Sequence, residues 1–457
     1  MKKYTILGAG LAGQSTSYHI GHEKCNVFEK NGYVGGHIYS EKVNGFIWDE
    51  GPHVSFTDDE YVKSLFEKSV NNDYLEYNVE TINYFNKSWI PHPAQTNLYS
   101  LPEPIRSECL NDFLLTRKWN QKIKPNNYYQ WLNIAFGKIF SDEFPVRYTK
   151  KYWTVHPKEL ITDWIGERVY YPDISEVVQG SKMPLENQTH YIKRVRYPKT
   201  GGYNSFAKTF NNQSNTHLNK ILIKIDLKDK TLRFKDGTKE EYDTLVNTIP
   251  LPSFIEMTNI SKKGKEAAKR LKCTSLLLIN VIAKHSTART ENWIYVYDED
   301  KYSTRINCTE LLSPNNGIDG KTGIQVEVYF SDYKKKDEDD NVIAKKVIQE
   351  LIEMGLIIDT SLVESFFTKW VPWGNVIFNH DYKKALDIVL TELEEFGLER
   401  EYDDLEPMTN WDKKLVTQNK MGSIILAGRY GQWKYYWTDD CVLRGKYIRD
   451  QKLLITT

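Results

Sequence analysis

The chain has 457 residues, which is enough for two or three domains with sizeable hydrophobic cores. Lysine plus arginine equals aspartate plus glutamate at 61 each, and this zero net charge argues against a nucleic-acid-binding protein. The five cysteines are scattered and odd in number, so we expect neither a disulfide framework nor a metal site. The sequence shows no signal-peptide pattern and no apolar run long enough to span a bilayer, so we expect a cytoplasmic protein.

The start of the chain has the pattern of a dinucleotide-binding unit. Residues 4–7 predict a buried strand, which runs into a glycine turn and a helix. Gly8, Gly10 and Gly13 give the spacing G-x-G-x-x-G, which allows a tight turn, close approach of a pyrophosphate and close packing of helix on strand. A second strand is expected to end at Glu29, where an acidic side chain would hold ribose hydroxyls.

The next residues distinguish flavin from nicotinamide. Gly35 and Gly36 follow Glu29 in the stretch "KNGYVGGHIYS" and predict a second glycine turn close to the cofactor. This arrangement resembles the start of the flavin oxidases and their relatives. We therefore expect FAD, and we favour this over a glycine hairpin that binds no ligand.

The remaining elements alternate between helix-rich and strand-rich stretches. Residues 60–185 are rich in helical patterns and aromatic side chains. Short alternating strands follow over residues 219–250, with a tight turn at Asp236 and Gly237. Helices are predicted over residues 339–355, over residues 381–397 and from about Asp439, and a strand over residues 423–428.

Strands that return to the first unit late in the chain indicate interleaved domains. We predict an α/β fold with an FAD-binding Rossmann-like domain, a helical domain and an antiparallel β-sheet domain. The FAD-binding domain is assigned to residues 1–75, 205–255 and 415–457, the helical domain to residues 95–185, and the antiparallel-sheet domain to residues 76–94, 186–204 and 256–414.

The stretch "AGRYGQWKYYW", residues 427–437, places five aromatic rings and two cations within eleven residues. A soluble protein does not normally expose this much aromatic surface, so the rings must contact either a ligand or the core. A strand end and a helix start capped by aromatic core would also account for these rings.

Several segments resemble the UDP-galactopyranose mutase family, particularly its longer eukaryotic type. The matching segments are "NGFIWDEGPHVSF", "SWIPHPAQTNLYSLP", "KKYWTVHPKELITDWIGERVYYPDI", "RVRYPKTGGYNSFAKTF", "NWIYVYDEDKYSTRINCTELLSP" and "GRYGQWKYYWTDD". The resemblance implies that Arg168 and Arg305 bind the diphosphate, that His53 lies beside the flavin, and that Arg429 lies near it. It also implies that Tyr435 points its hydroxyl at the sugar diphosphate. Arg168, Arg305, His53 and Tyr435 are thus the implied catalytic residues.

The resemblance also implies a wider substrate site, with some departures. Besides Arg168, Arg305 and Tyr435, the implied substrate-binding residues are Trp293, Tyr295, Gln95, Phe144, Trp153 and Asn375. Asn375 stands where the family has a phosphate-binding tyrosine, and His92 and Ala94 replace a tyrosine and a phenylalanine of the nucleotide segment. Thr149 replaces an asparagine near the base. The implied diphosphate contacts of Arg168, Arg305 and Tyr435, which we call the diphosphate clamp, are largely retained. The residues expected around the base and the sugar are altered.

The function implied by the resemblance is a flavin-dependent mutase that interconverts pyranose and furanose forms of a nucleotide-diphosphate hexose. It works through an adduct between N5 of reduced FAD and the sugar, so a reductant such as NAD(P)H is an expected partner. The alternative is an FAD-dependent oxidase or desaturase of the amine-oxidase or protoporphyrinogen-oxidase type, against which Arg168 and Arg305 argue. A third hypothesis is a non-catalytic protein that binds a flavin or a nucleotide.

Overall fold

The computed structural model describes residues 3–119, 123–185, 194–211, 214–411 and 422–454. The domain boundaries predicted at residues 186 and 415, and both chain ends, lie outside the described residues. The described chain builds a five-stranded sheet, a seven-stranded sheet, four small sheets and a layer of helices.

The five-stranded sheet is parallel throughout. Its strands, in spatial order, are Ile424–Leu426, Thr244–Asn247, Tyr4–Leu7, Cys25–Phe28 and Thr216–His217. Every residue of the central strand is buried, as expected for a parallel sheet covered on both faces. The strands come from the beginning, middle and end of the chain, which agrees with the predicted interleaving. The second strand ends at Phe28, one residue before the predicted end.

The helix Leu11–Ile20 follows the first strand and packs against the long helix Thr438–Leu454. Nearly all of its residues are buried because it is enclosed by the sheet and by that second helix. The last helix therefore holds the end of the chain against the first βαβ unit.

The seven-stranded sheet forms the second structural layer and is antiparallel, except between Trp293–Val296 and Thr81–Phe85. Its strands, in spatial order, are Val363–Val371, Ser275–Ala283, Thr322–Phe330, Arg305–Cys308, Trp293–Val296, Thr81–Phe85 and Ser88–Pro91.

The two faces of this sheet differ because successive side chains in a strand point to opposite sides. One face packs its aliphatic residues against the helix Asp340–Glu353, with Ile279, Val326 and Val347 among those buried together. The alternating residues of the same strands lie on the opposite face. These are mostly polar or aromatic: Asn83, Trp293, Tyr295, Arg305, Gln325, Glu327 and Tyr329.

A helical layer and several smaller elements complete the structure. The helices of the layer are Ile105–Trp119, Tyr128–Phe136, Lys138–Glu143, Pro145–Tyr152 and Ile174–Gly180. The other α-helices are Glu60–Ser69, Leu251–Met257, Lys262–Ala268, Tyr382–Glu394 and Gly428–Gly431. The small sheets pair Ser40–Val43 with Phe46–Asp49, Tyr74–Asn78 with Arg194–Pro198, Lys272–Cys273 with Val376–Ile377, and Leu222–Asp226 with Thr231–Phe234 and Lys239–Glu241.

The aromatic stretch near the end of the chain is largely core. Trp433 is fully buried and Tyr436 is 5% exposed. Lys434 is buried as well, and its ammonium group lies 2.8 Å from a carboxylate oxygen of the equally buried Asp403. A buried lysine needs such a partner because an uncompensated charge in a low-dielectric interior is costly.

We predict that replacing Lys434 with methionine destabilises the fold by about 3–5 kcal/mol, because Asp403 would then lie buried without its main counter-charge. The matched control is Lys269→Met, since Lys269 pairs with Glu266 at the surface and both side chains are more than half exposed. The control should cost at most about 1 kcal/mol. Urea unfolding midpoints measure both variants, and equal shifts would show that the buried pair has no special weight.

Candidate active site

The two predicted glycine turns lie against each other. A Cβ atom on Gly13 would lie 2.0 Å from the carbonyl oxygen of Gly8, so the helix packs directly on the first turn. The amide of Gly35 donates to the carbonyl of Ala9 over 2.9 Å, and a Cβ atom on Gly36 would lie 3.1 Å from Cα of Gly10. This close approach requires residues without side chains, because both turns are backbone against backbone.

Glu29 is buried beside the first glycine turn. One carboxylate oxygen accepts a hydrogen bond from the amide of Ala9 over 2.9 Å, and the other accepts one from the amide of Asn31 over 2.9 Å. The helix that begins at Leu11 has no side-chain cap, so its first turn presents backbone N–H groups and the positive end of the helix dipole. The backbone cradle and the carboxylate fit the pyrophosphate and ribose of FAD.

We predict that Gly13→Ala abolishes stable FAD binding, because the added methyl group would collide with the Gly8 carbonyl and displace the turn. The control is Gly237→Asn, since no heavy atom lies within 4 Å of a Cβ at Gly237 and asparagine tolerates its positive φ of 87°. Visible absorbance of the purified proteins reports bound flavin, and circular dichroism reports folding. A folded Gly13→Ala protein with full flavin content would contradict the assignment of this cradle.

Arg429 connects the glycine-turn helix to the loop that contains Asn375. It follows Gly428, whose Cβ would lie 2.6 Å from the Cβ of Ala12 in the glycine-turn helix. The Arg429 Nη2 group donates to Oδ1 of Asn375 over 2.8 Å, while its buried Nε has no hydrogen-bond partner among the described residues. A buried guanidinium with an unused donor is suited to an anionic ligand.

Arg305 and Glu327 form a bidentate ion pair on the polar face of the large sheet. Their Cα atoms are cross-strand partners, and Nε and Nη2 of Arg305 lie 2.6 and 2.7 Å from the two carboxylate oxygens. Tyr329 donates its hydroxyl to the same carboxylate over 2.9 Å. Glu327 thus occupies one whole edge of the guanidinium, and only the remaining edge is available for bidentate phosphate binding, the mode expected from the sequence.

The helix Pro145–Tyr152 places two tyrosines over this polar face. Tyr148 and Tyr152 lie one turn apart with stacked rings 5.5 Å apart. The Tyr148 ring lies 5.4 Å from that of Tyr295, and the Tyr152 ring lies 4.8 Å from that of Tyr329. The helix and the sheet therefore enclose a row of tyrosine rings.

Lys151 fixes this helix to the sheet. Its ammonium group donates to the carbonyls of Asp298 and Ser303, each over 2.7 Å, and burial lowers its pKa to about 7. Both carbonyls belong to the connection that leads into the Arg305 strand. Lys151 therefore fixes the position of the helix relative to that strand.

Arg168 and Tyr435 lie together on another side of the site. The Arg168 guanidinium lies 3.9 Å from the ring centroids of both Tyr435 and Trp437, and it donates to the Tyr435 carbonyl. Arg429 lies 4.5 Å from the Tyr435 ring. The ring of Tyr435 therefore lies between two arginines, each in cation–π contact with it.

His53 lies in a loop beside the Arg305–Glu327 pair. Gly51 in this loop is so close that an added Cβ would lie 2.7 Å from Oε1 of Glu327. Nδ1 of His53 lies 2.9 Å from the Gly51 carbonyl, and burial lowers the pKa of His53 to about 4. The imidazole is therefore neutral at pH 7, and a proton on Nδ1 leaves Nε2 as an acceptor.

A charged group neighbours this loop. Nδ1 of His37 lies 2.6 Å from Glu50, and Lys369 lies 3.1 Å from the other oxygen of the same carboxylate. Burial raises the pKa of Glu50, but His37 and Lys369 outweigh it and lower the pKa to about 2. Because His37 directly follows the second glycine turn, this carboxylate links that turn to the large sheet.

We predict that the His53 side chain titrates near pH 4 in the folded protein, because burial disfavours the charged imidazole. An unfolded chain takes up this proton near pH 6.5, so His53 makes the fold less stable as the pH falls from about 6.5 to 4. Histidine-selective NMR measures the midpoint, and the signal lost in His53→Gln identifies it. A midpoint near 6.5 would contradict this burial.

The remaining predicted substrate residues lie in three places. Trp293 donates its Nε1–H to the Tyr295 hydroxyl over 2.8 Å, and the rings of Tyr295 and His92 lie 4.9 Å apart, so this set lines the polar face. Trp153 lies 5.6 Å from Tyr435 and thus belongs to the aromatic cluster around Arg168.

Gln95 and Phe144 lie in the helical layer. Gln95 lines a small apolar cavity together with Phe113, Phe140 and Pro172. Phe144 is completely buried and stacks on Phe140 with centroids 4.7 Å apart, so contact with a base would require this cluster to open. Their assignment to the substrate stays a prediction.

Several residues of the site were not identified from the sequence, among them Glu327, Tyr329 and Tyr152. Glu327 had a signal, because it is the one charged residue in the buried nine-residue strand "TGIQVEVYF". Tyr152 and Tyr329 had none, since tyrosine is frequent throughout this sequence.

The sequence profile of the flavin-containing amine oxidoreductases matches residues 19–446, which is most of the chain. The chain belongs to this family. The match confirms the predicted flavin cofactor, FAD, and the α/β fold class. A curated relative, the 4,4'-diapophytoene desaturase of Staphylococcus aureus strain Newman, is 26% identical over 216 residues, or 43% of this chain. The matched part spans about a third of that relative, 36% of its length.

Solved structures extend the fold similarity over the whole chain. A reduced UDP-galactopyranose mutase superimposes with a TM-score of 0.87 and 23% identity, covering 100% of this chain and 94% of that one. A protein from Exiguobacterium sp. 255-15 described as a protoporphyrinogen oxidase gives 0.72 and 16% identity, covering 99% of each chain. At such low sequence identities, these superpositions show a shared fold and nothing beyond it. Among the described residues, no helix has the length and apolar character needed to cross a membrane.

Proposed function

We propose that the protein is a flavin-dependent mutase that interconverts the pyranose and furanose forms of a nucleotide-diphosphate hexose, UDP-galactose or a related sugar. The observation that carries this proposal is the pair of arginines on either side of Tyr152. Arg429 shares the side-chain oxygen of Asn375 with the Tyr152 hydroxyl, and Arg305 pairs with Glu327 beside the Tyr329 ring that packs on Tyr152. The similarity in fold to a UDP-galactopyranose mutase supports the same reaction class.

The charge of the site suits a nucleoside diphosphate ester. Among the described residues around Tyr152 and Tyr435, the guanidinium groups are those of Arg168, Arg305 and Arg429, and Glu327 is the carboxylate paired with Arg305. Arg429 is hydrogen-bonded to the neutral side-chain amide of Asn375, so its positive charge suits a negatively charged sugar diphosphate. An apolar substrate would leave the buried Nε of Arg429, which has no hydrogen-bond partner among the described residues, unsatisfied at an energetic cost.

Each group has a role in the proposed reaction. Reduced FAD would supply the nucleophile that displaces the diphosphate from the anomeric carbon. The departing diphosphate takes the electron pair of the C–O bond, and the arginines stabilise the added charge and retain the diphosphate for its return. Tyr435, Trp153 and the row of tyrosines exclude water from the sugar, and neutral His53 offers an acceptor beside the flavin.

The alternative is an FAD-dependent oxidase or desaturase, and the sequence similarity to a 4,4'-diapophytoene desaturase is the observation that favours it. Such an enzyme would require an apolar or amine-binding cleft. The arginine-lined site argues for the mutase, and a reductant such as NAD(P)H remains part of that proposal.

We predict turnover only with reduced flavin. The FAD-loaded protein, reduced with dithionite under anaerobic conditions, should convert a UDP-, dTDP- or GDP-hexose to its other ring form, because only electron-rich flavin is nucleophilic. Chromatography of the products measures the exchange. Turnover only under air, with stoichiometric hydrogen peroxide, would instead establish the oxidase alternative.

Matched variants test the predicted diphosphate-binding arginines by calorimetric titration with UDP. Arg168→Ala should weaken UDP binding about ten- to hundredfold, because a charge-assisted contact contributes roughly 1.5–3 kcal/mol. Arg305→Ala combined with Glu327→Gln should do the same without leaving an unpaired buried carboxylate. Arg194→Ala, which removes a largely exposed arginine, is the control. Parental affinity in both site variants would refute the clamp.

A further inference from the structure

The polar face, the helix Pro145–Tyr152 and the loop around Asn375 meet at one hydroxyl group. The Tyr152 hydroxyl donates to Oδ1 of Asn375 over 3.3 Å, and this oxygen also accepts from Arg429 over 2.8 Å. One amide oxygen therefore orients a neutral donor and a cationic donor towards the same place.

Asn375 is held firmly enough to do this. It is 6% exposed, its backbone N–H donates to Oγ1 of Thr274 over 2.7 Å, and its backbone carbonyl accepts from the backbone N–H of Thr274 over 2.8 Å. Tyr152 is fixed independently, because its ring packs on Tyr148 and Tyr329 and the neighbouring Lys151 is anchored to two carbonyls. The geometry therefore does not depend on a ligand to be formed.

The Tyr152 hydroxyl also lies close to several charged and polar groups. Arg305, Arg429, Glu327 and the Tyr435 hydroxyl all interact with it electrostatically. Burial raises the pKa of Tyr152 well above its ordinary value, so the hydroxyl stays protonated and can donate a hydrogen bond at every physiological pH. An anion held between the two arginines would meet this donor directly.

We propose that Tyr152 is a diphosphate-binding residue, and that Asn375 is a positioning residue that aligns Tyr152 and Arg429 on the same phosphate group. In this arrangement the tyrosine hydroxyl releases Asn375 and donates to a phosphate oxygen when the ligand enters, while Arg429 retains the amide oxygen. This inference rests on the proposed nucleotide-diphosphate substrate and assigns that substrate's phosphate contacts to residues of three separate segments.

The test is calorimetric titration of UDP and UDP-galactose into the FAD-loaded full chain. Tyr152→Phe should weaken binding of both ligands by about tenfold or more, because a hydrogen bond to a charged group is lost. Flavin content and the unfolding midpoint should not change, since the ring contacts remain. Tyr302→Phe is the matched control, because it removes a hydroxyl that contacts Glu338 over 3.3 Å instead.

Asn375→Ala, alone and combined with Tyr152→Phe, tests the positioning role. If Asn375 acts partly through Tyr152, the double variant should bind UDP more tightly than the product of the two single effects predicts. Strict additivity, at unchanged unfolding midpoints, would refute this coupling and with it the positioning role.

The outcomes separate this inference from the proposed function. If the parent protein binds none of UDP, dTDP and GDP or their hexose esters, the proposed function fails and the tyrosine assignment fails with it. If the parent binds UDP and Tyr152→Phe binds it equally well, the proposed function stands and this inference is overturned. A loss confined to UDP-galactose would place the hydroxyl on the sugar and would also overturn the diphosphate assignment.

Discussion

The strict alternation of side chains in the seven-stranded sheet is the constraint on which the site depends. The helix Asp340–Glu353 buries one face of this sheet, and a slip of one residue would exchange the two faces. The aliphatic residues that pack against that helix therefore fix the register. In this register Arg305, Glu327 and Tyr329 lie together on the opposite face. A hydrophobic core on one side thus determines the position of charges on the other.

The charges of the site are balanced in two different ways. Arg305 is neutralised by a buried carboxylate in its own sheet, so its guanidinium is rigid and one edge is already occupied. Arg429 is held by a neutral amide, and its Nε is left without a hydrogen-bond partner among the described residues. The first arginine therefore offers a fixed direction, while the second offers most of the uncompensated charge. Together with Tyr152 they form a site in which a diphosphate would accept hydrogen bonds from donors that lack a partner, such as Nε of Arg429. Few existing hydrogen bonds would have to break.

The sequence predicted those features that depend on short-range geometry. The glycine turns, Glu29 and the helices after residues 339 and 381 follow from local spacing, because each is determined within one βαβ unit or one helix. The position of Arg168, stacked between Tyr435 and Trp437, and the ion pair of Arg305 with Glu327 could not be predicted. The first contact joins segments 267 residues apart, and the second depends on the register of two neighbouring strands. A single sequence carries no signal of either. The family resemblance supplied the arginines but not their partners.

The most direct measurement is a crystal structure of the FAD-loaded, reduced protein with bound UDP. We predict that the diphosphate lies between Arg305 and Arg429, with a phosphate oxygen within hydrogen-bonding distance of the Tyr152 hydroxyl. Glu327 should remain paired with Arg305 in the complex. UDP bound away from these three residues, or a cleft that accepts a hydrocarbon and excludes UDP, would contradict the proposed function.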